Sequence, residues 1–96
     1  MILSFGDPGT AELFHGKPSR RARGLLPSRL HEAAQRKLEW LDAAASLEDL
    51  RTPPGNRLEA LRGDWQGFWS IRINVQYRIV FRWDGNAHDV RVLDYH

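Results

Sequence analysis

Two hydrophobic periods divide the chain near Asn56. Before it, Leu30, Ala34, Leu38, Leu41 and Ala45 recur at steps of four, four, three and four. That spacing is one stripe of a helix. Arg29, Arg36, Lys37 and Glu39 fall largely off the stripe. After Asn56 the period becomes two. Trp69, Ile71 and Ile73 alternate with Ser70, Arg72 and Asn74, and Tyr77, Ile79, Phe81 and Trp83 alternate with Arg78, Val80 and Arg82. Alternation of this kind predicts strands with one buried face.

The remaining elements follow from turn and cap signals. Ile2, Leu3 and Phe5 predict a short first strand. Asp7-Pro8 offers an N-cap and a first helical proline. Ala11, Leu13 and Phe14 then form the buried side of a short helix that stops near Gly16. Lys17 to Gly24 reads as a basic loop carrying Arg20, Arg21 and Arg23. Pro27-Ser28 opens the long helix, and Ser46-Leu47-Glu48-Asp49 marks a new cap with one short turn. Pro53-Pro54 cannot continue a helix. Arg57 to Leu61 reads as a short strand, Gly63-Asp64 and Asp84-Gly85-Asn86 as turns, and Val90 and Val92 begin the last strand. The expected architecture is α+β. One domain, residues 1–96, places a short N-terminal strand and two helices on one face of a mainly antiparallel C-terminal sheet. The opposite face carries Arg78 and Arg82, with no element expected to cover it. Asp94-Tyr95-His96 closes one end, which makes this face a candidate anion-binding surface.

Composition narrows the class. A hydrophobic fraction of 42% and four tryptophans indicate a folded chain. The absence of cysteine excludes disulfides and thiolate metal sites, and fits a cytoplasmic location. The apolar start, Met1 to Phe5, is too short for a membrane span, so no membrane partner is expected. Of 14 cations only Lys17 and Lys37 are lysines, which leaves 12 arginines. Arginine suits bidentate phosphate contacts, although a GC-rich genome gives the same bias. No histidine pair has metal-ligand spacing and no carboxylates cluster, so neither metal nor cofactor is expected. His15, His31 and His88 receive no role.

Asp94-Tyr95-His96 places an acid, a phenol and an imidazole directly after a strand, the equipment for proton transfer at a phosphate or carbonyl. The competing reading is a loose terminus, with Asp94 paired to Arg78 or Arg91 and Tyr95 capping the core. Arg82 and Arg91 read as solvated sheet residues.

Several segments together resemble HigB-type toxins of the RelE/ParE toxin–antitoxin superfamily. They are Pro53 to Gly63, Trp69-Ser70-Ile71-Arg72-Ile73-Asn74, Gln76-Tyr77-Arg78-Ile79-Val80-Phe81 and Asp94-Tyr95-His96, with Ile2 to Phe5 and Leu38 to Leu50 also similar. The resemblance implies metal-independent cleavage of mRNA on the ribosome and a HigA-like helix-turn-helix antitoxin as partner. It implies no direct DNA binding by the toxin alone. Carried onto this chain, Arg78 is the phosphate clamp, helped by Arg62. His96 and Tyr95 transfer protons or orient the nucleotide. Asp94 serves the same site or fixes the tautomer of His96, and Gln76 binds RNA at the rim. Some family members carry histidine where this chain has Glu59. That carboxylate acts as a base, or pairs with Arg57 or Arg78 and does no chemistry. The segment with Arg20, Arg21 and Arg23 grips ribosomal RNA, or is a mobile loop or part of the antitoxin interface. Trp40, Trp65 and Phe68 mark a protein interface or are ordinary half-buried aromatics. Two other functions fit the same resemblance: a ParE-like protein that binds a topoisomerase, and a degraded toxin kept as an antitoxin-binding co-repressor, whose Arg78 fork would be occupied by Glu59.

Overall fold

Asp7 starts the first helix. Its carboxylate accepts the Thr10 backbone N–H at 2.7 Å, and Pro8 occupies a position where no N–H is needed. The computed structural model describes residues 1–17 and 19–95. Among them three helices, α1 (Pro8–Phe14), α2 (Arg20–Leu25) and α3 (His31–Ala43), precede four strands. These are β1 (Glu59–Ala60), β2 (Trp69–Arg72), β3 (Tyr77–Trp83) and β4 (Ala87–Asp94), each antiparallel to the next. Ala34, Leu38 and Leu41 of the predicted stripe are buried in the core with Ile71, Ile79, Phe81 and Val92. The α+β architecture therefore stands as expected.

Four local expectations need correction. The basic segment is not a loop. Ser19 Oγ accepts the Ala22 N–H at 3.0 Å and Ala22 is fully buried, so a six-residue helix forms. One buried alanine among arginines leaves too little apolar signal to see it in the sequence. There are thus three helices instead of two. The first strand reduces to two bridges, Ile2 to Ala87 and Phe5 to Val90, parallel to β4. It covers the outer edge of β4, which would otherwise expose unpaired backbone. The Arg57–Leu61 strand shortens to two residues, because Arg57 is left-handed (φ +45°) and ends a 3-10 turn. Finally, α3 stops at Ala43, so Ala44 is buried and Ala45 exposed. Asp49 Oδ2 accepts the N–H groups of Ala45 and Ser46, fixing the break.

The sheet face away from the core is also more closed than expected. The register sets Glu59, Ser70, Val80 and Arg91 in one row across it. Ser70 and Val80 are fully buried. The turn after β1 brings Trp65 over this face, its ring centroid 5.4 Å from Arg91 Cζ and its edge against Phe68. Arg91 is therefore not a solvated side chain. Its guanidinium also lies so close to Gly6 that an added Cβ there would sit 2.3 Å from Nε.

Gly6→Ala must push Arg91 off Trp65. The expected cost is about 1–2 kcal/mol, the scale of a partly desolvated cation–π contact. In an Arg91→Ala background most of that cost should vanish. Urea denaturation of the two single variants and the double variant measures the coupling; strictly additive losses would contradict the contact.

Candidate active site

The register puts one arginine at the centre of a polar cluster. Arg78 lies two residues before Val80 on β3, on the same face as Ser70 and Glu59. Its side chain crosses β2 toward β1. Nη1 donates to Ser70 Oγ at 2.6 Å and lies 2.6 Å from Glu59 Oε1. The residue is only 9% exposed. A charge this buried needs a charged partner and further hydrogen bonds to persist, and Glu59 and Ser70 supply them. Nε and Nη2 have no hydrogen-bond partner among the described residues. Tyr95 completes the cluster. Its N–H donates to the Gln76 carbonyl at 2.9 Å, and its ring centroid lies 5.3 Å from Arg78 Cζ.

The other expected site residues are distributed differently. Asp94 pairs in register with Tyr77, on the face that carries Ile79 and Val92. Alternation therefore turns it away from Arg78. Its Oδ2 accepts from Gln76 Nε2 at 3.1 Å, so these two meet at the sheet end. Arg62 is exposed beyond the end of β1, and no contact links it to Arg78. Arg20, Arg21 and Arg23 stand exposed on α2, with Arg21 turned toward Glu12 at 3.5 Å. His96 lies outside the described residues, as does any hold on it by Asp94.

Two contributors were missed in the sequence. Ser70 looked like an ordinary outward strand residue, yet it is buried beneath Arg78. Lys37 looked like a solvated helix residue. Its Nζ instead donates to Asn56 Oδ1 (2.8 Å) and to the Arg72 carbonyl (2.7 Å), tying α3 to the end of β2. Asn56 is fully buried, with Nδ2 donating to the Leu50 carbonyl. The off-stripe position of Lys37 gave no hint of this role. Among the described residues no three His, Asp or Glu side chains gather as a metal site, and no helix is long and apolar enough to cross a membrane.

The fold is that of RelE-like toxins. It is shared with the structure described as the YoeB-YefM complex from Staphylococcus aureus, at TM-score 0.59 and 16% identity, covering 100% of this chain and 98% of that one. The YoeB/ParE toxin from Agrobacterium tumefaciens matches at TM-score 0.54 and 16% identity, covering 99% and 98%. The chain belongs to the HigB-like family: residues 4–96 match the family described as the RelE-like toxin of type II toxin-antitoxin system HigB. Toxin HigB-1 of Vibrio cholerae serotype O1 is 47% identical over 88 residues, 91% of this chain and 90% of that protein. Endoribonuclease HigB of Proteus vulgaris is 29% identical over 97 residues, covering the whole of both chains.

Lys37 offers a test of the anchor behind the site. Burial, and secondarily Arg36, lowers its pKa below the usual 10.5. Between the lowered folded value and the unfolded one, the unfolded chain binds more protons, so stability should rise with pH in that window. Lys37→Met should abolish the rise. It should also cost about 1–3 kcal/mol at neutral pH, because buried Asn56 Oδ1 loses its donor. Denaturation midpoints from pH 7 to 11 measure both effects.

Proposed function

We propose that this toxin is a metal-independent endoribonuclease that cuts mRNA on the ribosome and is restrained by a HigA-like helix-turn-helix antitoxin. The observation that carries the reading is the half-satisfied fork of Arg78. One nitrogen is fixed by Ser70 and Glu59, Nε and Nη2 have no hydrogen-bond partner among the described residues, and the Tyr95 ring lies 5.3 Å from Cζ. The full-length likeness to a relative named an endoribonuclease supports the same chemistry. A base takes the proton of a ribose 2′-OH, and the oxyanion attacks the adjacent phosphorus. Arg78 stabilises the charge that builds on the phosphoryl oxygens, and an acid protonates the leaving 5′ oxygen. Glu59 is the base within reach of that phosphate. Tyr95 positions the nucleotide or supplies a proton, with Asp94, Gln76 and His96 at the rim. Arg62 and the arginines of α2 add backbone contacts. The toxin alone does not read DNA, and it works in the cytoplasm.

One feature favours a second reading. Glu59 sits on Arg78 as expected of a degraded toxin that serves only as an antitoxin-binding co-repressor. Its side chain is 51% exposed, however, and it engages one nitrogen of the fork.

Mapping mRNA ends in a translating extract tests the two readings together. Wild type should produce new cuts, and Arg78→Ala should slow them by about 10²–10³, the scale of losing an oxyanion donor. Glu59→Gln should slow cutting by about 10²–10⁴ if the carboxylate is the base. Faster cutting by Glu59→Gln would recast Glu59 as a blocker, and no cuts by soluble wild type would overturn the nuclease.

A further inference from the structure

Polar side chains buried among the described residues are Thr10, Asn56, Ser70 and Arg78. The first two serve the backbone. Thr10 Oγ1 accepts the Val92 N–H, and Asn56 Nδ2 donates to the Leu50 carbonyl. Ser70 differs. Its hydroxyl meets no backbone group among the described residues, and its partner there is Arg78. Withdrawing a hydroxyl from water in mid-strand is a cost that alanine or valine would not carry. The bond to the arginine is what offsets it.

The two anchors of Arg78 differ in permanence. A terminal guanidinium nitrogen carries two hydrogens. Nη1 spends one on Ser70 Oγ and the other on Glu59 Oε1, each at 2.6 Å. Glu59 is half exposed, on a two-residue strand with no buried residue. It also has the same charge as any anion that approaches Arg78, so the two compete. Ser70 is neutral and fully buried, on a strand paired on both sides. An arriving phosphate weakens the hold of the carboxylate and leaves that of the hydroxyl intact. We propose that Ser70 is a positioning residue, which fixes the Arg78 guanidinium while a phosphodiester displaces Glu59 from Nη1. Displacement frees the carboxylate for the 2′-OH proton. The inference rests on the ribonuclease reading for its substrate, but the anchoring itself is testable without cleavage.

Nitrogen-15 NMR of the isolated protein reads the anchor directly. Hydrogen bonds slow rotation about the Cζ–Nη1 bond, so the Nη1 protons of Arg78 should be resolved, and Arg78→Lys assigns them. The resolved signals should survive Glu59→Ala and be averaged away in Ser70→Ala. Their loss in Glu59→Ala, or their survival in Ser70→Ala, would overturn the proposal. In a translating extract Ser70→Ala should slow cutting about 10–100-fold, the scale of a hydrogen bond to a charged group. Ser70→Thr keeps the hydroxyl and should restore most of the rate. Ser70→Cys fills the same space with a weak acceptor and should resemble Ser70→Ala; it also carries the comparison if Ser70→Ala does not fold. In an Arg78→Ala background Ser70→Ala should cost nothing further. An equal loss in both backgrounds would reduce Ser70 to a packing role and sink the proposal. If wild type leaves mRNA intact yet the arginine signals depend on Ser70, the nuclease reading fails and the anchor stands. If Ser70→Ala and Ser70→Cys cut like wild type, only the Ser70 proposal fails.

Discussion

A nearly buried guanidinium has to be answered by nearby charge, and much of the second sheet face follows from that need. Removing an arginine from water costs several kcal/mol even after relaxation. Arg78 recovers this through a carboxylate and a hydroxyl on one nitrogen and an aromatic ring over its face. Those partners come from β1, β2 and the end of β4. Three separate pieces of chain are thereby tied to the middle strand. The two-residue β1 makes little sense as a source of sheet stability, being short and exposed. It makes sense as the segment that delivers Glu59 to Arg78.

The helical layer supports this arrangement from behind. Lys37 reaches across the core boundary to the last carbonyl of β2 and to Asn56. Asn56 in turn bonds the carbonyl of Leu50. The connection from α3 to β1 is therefore fixed by a short polar chain. It holds the entry to β1 at one level, and with it the height of Glu59. On the far side, Thr10 Oγ1 accepts the Val92 N–H, past the point where the N-terminal segment has stopped pairing with β4. The outer edge of β4 is thus held as far as the Val92 N–H.

The long helix and strands β2 to β4 were legible because each buries a full apolar stripe, and burial leaves a period in the sequence. The helix α2 was not, since it presents one buried alanine and is held by a serine cap and by neighbours that are distant in sequence. Arg78 was legible as a candidate site residue from its outward position and its family context. Ser70 and Lys37 were not. An outward serine and an off-stripe lysine have no signature until another element is packed over them. The closure of the second face was hidden for a related reason. A turn such as Gly63–Trp65 has no period, and only tertiary packing decides where its tryptophan lands.

The C-terminal triplet shows how far alternation can separate neighbours. Because the side-chain period of a strand is two, adjacent residues cannot both reach the same face. Leu93 stands opposite Arg78 and Asp94 opposite Tyr77, so the acid leaves by the helical face. Tyr95 extends the pairing by one backbone bond to Gln76 and returns to the arginine side. The phenol ring therefore stands directly beside Arg78, and Asp94 lies at the rim, bonded to Gln76. In this reading the carboxylate nearest the phosphate comes from β1, more than thirty residues before the tail. In the proposed ribonuclease the candidate acid–base groups Glu59 and Tyr95 come from two ends of the sheet, with Arg78 between them.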